Sequence, residues 1–155
     1  MPAAQRYMNF SGEQMVLPYP SLVFYLKESD GQLETSKCFA LKVRSINRLH
    51  MKSVLYAFPF GNVHPQNAHI CWGTNNTTGL DGFRGLRQAI ETFLCSESNM
   101  DYVQKGSFKG YKSYRNLLQD LIGQDKFPNS VLVPSPYFHT IGELLQNFFK
   151  EESDE

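Results

Sequence analysis

The chain has 155 residues, of which 41% are hydrophobic, 14% aromatic and 19% charged, a composition that supports one packed core and excludes a disordered or two-domain chain. Fifteen Lys and Arg balance fifteen Asp and Glu, so there is no overall basic field to hold phosphate backbones, and nucleic acid is not an expected partner. Four acids, Glu151, Glu152, Asp154 and Glu155, crowd the last five residues and divide the chain into a domain over 1–150 and an acidic tail over 151–155.

The opening residues lack an apolar core of signal-peptide length, and no run reaches the ~18 apolar residues of a membrane span, which predicts a cytoplasmic protein without a membrane partner. Cys38, Cys71 and Cys95 are an odd number of widely spaced cysteines with no CxxC pair, which suits free thiols better than a disulfide framework.

In chain order, residues 20–28 and 35–43 are rich in β-branched and aromatic side chains and flank Ser29-Asp30-Gly31, which predicts a hairpin. A third run, Ser53–Phe58, ends at Pro59, a residue that cannot donate to a central ladder. The polar, turn-rich stretch from Gly61 to Asn67 reads as a loop, after which Ala68–Trp72 is apolar enough to re-enter the sheet. From Leu80 the period changes to about 3.6. Leu80, Phe83, Leu86, Ile90, Phe93 and Leu94 then share one helical face, with Thr77 and Thr78 as candidate caps. A second helical set, Tyr111, Tyr114, Leu117, Leu118, Leu121 and Ile122, closes at Gly123. A third helix is expected from Thr140, whose Thr-Ile-Gly-Glu forms a capping-box pattern, with Leu144, Leu145, Phe148 and Phe149 as its apolar side. Gly106–Gly110 and Pro128–Pro136 read as loops. Strands first and helices afterwards predict an α+β domain, an antiparallel β-meander followed by helices.

The stretch that carries chemistry is 57–73, Ala-Phe-Pro-Phe-Gly-Asn-Val-His-Pro-Gln-Asn-Ala-His-Ile-Cys-Trp-Gly. It sets Cys71 just past a polar loop, with Asn62 and Asn67 as neutral amide donors and His64 and His69 as a base or a polar wall. That grouping suits acyl transfer. Asn62 serves equally well as a turn former, Trp72 as a packing anchor or one wall of the site, and Cys38 and Cys95 as structural thiols. Zinc is not expected at Cys71, His64 and His69, because a fourth ligand is missing, and no Gly-rich loop ends in Lys-Ser or Lys-Thr to hold a nucleotide, so no metal or cofactor is expected.

An aromatic-proline-aromatic step, an asparagine and then a cysteine at the end of a meander resemble the active-site region of ubiquitin-conjugating enzymes. Leu-Pro-Tyr-Pro-Ser-Leu-Val-Phe (17–24), Phe-Ala-Leu-Lys (39–42), Leu-Tyr-Ala-Phe-Pro-Phe-Gly-Asn-Val (55–63) and Ile-Cys-Trp-Gly (70–73) resemble in particular the bacterial branch typified by PRTRC system protein B. The resemblance implies a ubiquitin-conjugating-like fold in which Cys71 accepts a ubiquitin-like protein as a thioester from a ThiF-like activating enzyme. It also implies Asn62 as oxyanion donor and a JAB-type peptidase as a further partner from the same operon. Phe60-Gly61-Asn62 stands where the eukaryotic enzymes carry His-Pro-Asn, and the asparagine-to-cysteine offset is nine rather than the usual eight. His64-Pro65-Gln66-Asn67 is a competing, shifted alignment of that triplet, which leaves Asn67 as the alternative donor. A thiol of ordinary acidity, only a few per cent thiolate at neutral pH, is nucleophilic enough for thioester exchange without a strong base. Two other readings remain: an inert interaction module of the same fold, and a hydrolase pairing Cys71 with His64 or His139.

Overall fold

The computed structural model describes residues 1–43, 45–103 and 106–153, with side chains up to 150. Within them two hairpins come first. Strand β1 (Ala4–Phe10) pairs antiparallel with β2 (Glu13–Tyr19), and β3 (Ser21–Ser29) pairs antiparallel with β4 (Gln32–Leu41). The second hairpin is the one expected from Ser-Asp-Gly. The first turns at Ser11-Gly12, where both residues have positive φ (52° and 76°), as do Asp30 and Gly31 (51° and 73°). Such two-residue turns match the twist of the flanking strands, and serine signals them far less strongly than aspartate does.

Short β5 (Tyr56–Ala57) joins β4, with Phe39 opposite Ala57, and completes a sheet of order β3-β4-β5. The predicted strand 53–58 is shortened to this pair, and its outer edge binds a stretch whose first part, up to Pro136, was expected to be a plain loop. Ala57 N–H donates to Val133 O, Ser135 N–H to Leu55 O and Leu55 N–H to His139 O, so 133–139 runs beside it. Helix α1 (Gly82–Cys95) follows, then β6 (Glu97–Ser98), which lies parallel to β1 at Asn9 and Phe10 and makes a second sheet of order β2-β1-β6. Helices α2 (Tyr114–Leu121) and α3 (Ile141–Ser153) complete the α+β domain. The helix α3 runs into the predicted tail, whose last two residues lie outside the described ones.

Two of the helix starts differ from the sequence reading. Asp81, not Thr77 or Thr78, is the N-cap of α1, and Phe83 is 84% exposed because Gly85 takes the inward position instead. A Cβ on Gly85 would meet the Leu80 carbonyl carbon at 2.3 Å, so the chain before the helix folds back onto it. In α3, Thr140 Oγ1 accepts from Glu143 N–H as a capping box requires, while the Glu143 carboxylate reaches one residue further back, to His139 N–H. Leu145 and Phe149 are exposed, so among the described side chains of α3 the buried apolar ones are Ile141 and Leu144. In α2, Tyr111 lies before the first turn, Ile122 is the exposed C-cap and Gly123 follows at φ 80°, the left-handed position expected of it.

Period-two alternation along β4 divides the core. Cys38 and Ala40 face one cluster, with Leu17, Leu22, Phe60, Ile70, Phe93, Leu117 and Leu121, while Phe39 and Leu41 face a smaller one under α3. Each fully buried Leu or Phe stabilises the fold by about 1.5–3 kcal/mol relative to exposure. Among the described residues no helix is long and apolar enough to cross a membrane.

Candidate active site

The site is built where the chain leaves β5. Phe58 and Phe60 are buried against each other and against Phe93 and Tyr19, and they fix the start of the loop to the main core. Asn62 comes next with φ 70°, a left-handed conformation that asparagine tolerates better than most residues. From there the chain makes a small antiparallel excursion. Val63 bridges Ile70, His64 N–H donates to His69 O, and Ala68 N–H closes on His64 O. The base of that excursion is a hydrogen bond of 2.8 Å from Cys71 N–H to Asn62 O. This closure explains how an offset of nine still brings Asn62 and Cys71 together, since the intervening residues pair with one another.

Segment 68–72 re-enters beside β4 as the sequence predicted. Cys38 N–H donates to Ala68 O and Ile70 N–H to Ser36 O, which turns Ile70 into the core and leaves Cys71 half-exposed. Trp72 is half-buried against Phe93 and donates its indole N–H to Ser36 Oγ at 2.9 Å, so it is both anchor and wall.

Cys71, Asn62 and Trp72 line one open cleft of about 200 Å³ together with Gly73, Thr74, Asn75, Ser96, Glu97 and Asn99. Ser96, Glu97 and Asn99 were not legible as site residues, because β6 reaches the site only by pairing with β1, and Asn75, though only four residues past Cys71, was passed over. Their polar heads are arranged by hydrogen bonds. Asn75 Nδ2 donates to Trp72 O and to Ser96 Oγ, each at 2.8 Å, tying the turn after Cys71 to the end of α1. Asn62 is 6% exposed; its Nδ2 donates to Glu97 O at 2.8 Å and its Oδ1 accepts Asn99 N–H at 3.1 Å. One of its two Nδ2 hydrogens is thereby used and one is left. Gly61 approaches the same wall so closely that a Cβ would meet Asn99 O at 2.2 Å and Ser98 Oγ at 2.6 Å. The lining is mostly amides and hydroxyls; the Glu97 carboxylate accepts Gly12 N–H at 3.3 Å, and among the described residues no cationic side chain lines the cleft. A developing negative charge there would be met by the amide and hydroxyl dipoles, with the Glu97 carboxylate as a like charge in the lining.

The other predicted residues lie on the excursion and not along the cleft. Asn67 is exposed and shapes its own turn, its Oδ1 accepting His69 N–H at 3.0 Å and its carbonyl accepting Lys37 Nζ at 3.2 Å. His64 is half-buried with its ring 5.4 Å from Tyr102. His69 is exposed at the surface beside β4; partial burial, then Lys37 and His64, hold its imidazole below the ordinary histidine range. Among the described residues no histidine lines the cleft, and His139 sits exposed at the start of α3. Of the two thiols read as structural, Cys38 is fully buried, which pushes its thiol up well above the usual range, whereas Cys95 is exposed at the end of α1. Among the described residues no three His, Cys, Asp or Glu side chains are grouped to hold a metal ion.

No curated protein and no solved structure matches the chain. A family model does. It covers residues 1–135, both sheets, α1, α2 and the whole cleft, leaving only α3 and its approach outside, and the chain belongs to the family it describes, Prokaryotic E2 family D.

Proposed function

We propose that this protein is a ubiquitin-conjugating-like carrier that accepts a ubiquitin-like protein as a thioester on Cys71 from a ThiF-like activating enzyme and passes it to a target. Family membership supports a conjugating role of this kind. The observation that carries the site assignment is a half-exposed Cys71 in an open, amide-lined cleft, with its backbone bonded to the buried Asn62.

In the step proposed, the Cys71 thiolate attacks the carbonyl carbon of the incoming thioester. The carbon–sulfur bond to the activating enzyme breaks, and that enzyme's sulfur leaves as thiolate and takes up the proton that Cys71 gave to solvent. The free Nδ2 hydrogen of Asn62 is the donor for the transient oxyanion, and the cleft walls position the tail. A JAB-type peptidase from the same operon is the further partner that the resemblance to the PRTRC branch implies.

Incubation with the activating enzyme, the ubiquitin-like protein and ATP should give an adduct that dissolves in thiol reductant. If Cys71→Ala forms the same adduct, the assignment is wrong. The inert-module reading draws on one observation, that the Asn62 side chain spends one amide hydrogen on Glu97 O and its Oδ1 on Asn99 N–H. It predicts no adduct under these conditions and a thiol closed to maleimide in a Cys95→Ser background, an expectation that the half-exposed Cys71 runs against.

A further inference from the structure

The helix α2 contributes no atom to the cleft, yet one of its side chains reaches the site loop. Tyr114 is 2% exposed at the first position of α2 and packs edge-on against Phe10 with centroids 5.3 Å apart. Its hydroxyl oxygen accepts the buried Gly61 N–H at 3.1 Å and shares a hydrogen bond of 2.9 Å with Ser98 Oγ, while Met8 Sδ lies 3.8 Å away. Gly61 precedes Asn62, whose carbonyl anchors Cys71 N–H and whose amide holds Glu97 and Asn99. A continuous set of bonds therefore runs from α2 through one hydroxyl to the backbone of Cys71 on one wall and to β6 on the other.

What the hydroxyl adds to the packing of the ring is its pair of bonds to Gly61 and Ser98. Removing it would leave a buried N–H with no acceptor, at a place where the Gly61 backbone is already in van der Waals contact with Asn99 and Ser98. We infer that Tyr114 is a positioning residue for the proposed transfer, its hydroxyl acting with Ser98 as a latch that sets how Asn62 and Cys71 sit across the cleft. The inference rests on the carrier reading for its effect on rate and on the geometry alone for its effect on the loop.

The test is Tyr114→Phe in the full chain, with Leu117→Ala, one turn further along α2 and also fully buried, as a control for general weakening of the core. All proteins are compared at a temperature where each is folded. Tyr114→Phe should raise the amide exchange rates of Gly61, Asn62 and Cys71 by about tenfold or more. It should also lower kcat for charging by about tenfold, with KM for the loaded activating enzyme unchanged within about twofold. Leu117→Ala should leave kcat unchanged, and any faster exchange it causes should be shared by amides throughout the core and not confined to Gly61, Asn62 and Cys71. Ser98→Ala should reproduce part of the loss, and the double variant should be no slower than Tyr114→Phe alone, since both remove the same bond. Unchanged kcat in Tyr114→Phe, unchanged exchange at Gly61, or strictly additive losses would overturn the latch. If the unaltered chain is not charged at all, the carrier reading falls. The latch is then judged by exchange and by Cys71 alkylation in a Cys95→Ser background, and fails if Tyr114→Phe shifts neither.

Discussion

Cys38 and Cys71 sit on neighbouring strand segments of one sheet and have opposite surroundings. Cys38 lies in β4 with its side chain in the main core, fully buried, its thiol made less acidic by the loss of water around it. Cys71 lies on the segment that pairs with β4, beside the inward-facing Ile70 and Trp72, and the alternation of an extended chain turns it the other way. A slip of one residue in the pairing of Lys37 with His69 would turn Cys71 into the core in place of Ile70, while Cys38 stays where β3 holds it. The exposure of Cys71 is set by register, and register is held by the excursion 63–70 and by the Asn62–Cys71 bond.

The largest expected effect separates the two thiols directly. Cys71→Ala should remove the adduct entirely, whereas Cys38→Ala should leave it and lower stability by roughly 1–3 kcal/mol through a cavity in the core, as read by urea unfolding. Equal loss of adduct in both would erase the distinction. Next in size is Asn62→Ala. With the free Nδ2 hydrogen as oxyanion donor the charging rate should fall on the order of 10²-fold to 10³-fold, about 3–4 kcal/mol. A loss confined to stability would instead make Asn62 a clamp between Gly61 and β6.

Gly61→Ala sharpens the same point through the backbone. Its methyl group would collide with Asn99 O, a backbone atom that cannot step aside, and the expected cost is about 1–3 kcal/mol or more in denaturant midpoint experiments. Gly12→Ala, where a Cβ meets nothing within 4 Å, should cost only the strain of its φ of 76°.

Two pH effects are smaller. Burial raises the folded Tyr114 pKa from 10.0 to about 12, so the native state keeps a proton that the unfolded chain loses. Stability from this group is complete below pH 10.0 and is lost as the pH climbs towards about 12, a loss that Tyr114→Phe should remove. His69 works in the opposite direction. With its pKa held below 6.5, the unfolded state binds the proton first, and stability should decline as the pH falls below 6.5, less so in His69→Gln. Thermal melts across the acid and alkaline ranges check both signs.

The hairpin at Asp30-Gly31, the helices α1 and α2, the cap at Thr140 and the cysteine after the polar loop were legible because each is written in adjacent residues. Ser11-Gly12 was not, since serine is a weak signal for a turn with two positive φ angles. The strand partner of 53–58 was hidden in a proline-flanked stretch that pairs without β-like composition. The polar wall of the cleft was illegible for a different reason. Ser96, Glu97 and Asn99 become neighbours of Cys71 only when β6 pairs with β1, a contact between residues about 90 apart that no local pattern encodes. Tyr114 counted in the sequence only as one apolar position of a helix, and the use of its hydroxyl depends on where Gly61 comes to rest. His64, Asn67 and His69 were drawn towards the site by proximity in sequence, and the closure of the excursion at Val63 and Ile70 carries them past it.

Replacing one atom at position 71 tests the central assignment most directly. Charging of Cys71→Ser, followed by intact mass and peptide mapping, should give a slower adduct on the introduced hydroxyl that survives thiol reductant and is cleaved by mild base, because an oxygen ester replaces the thioester. An adduct on this variant that still dissolves in reductant, or that maps to Cys95, would contradict the account.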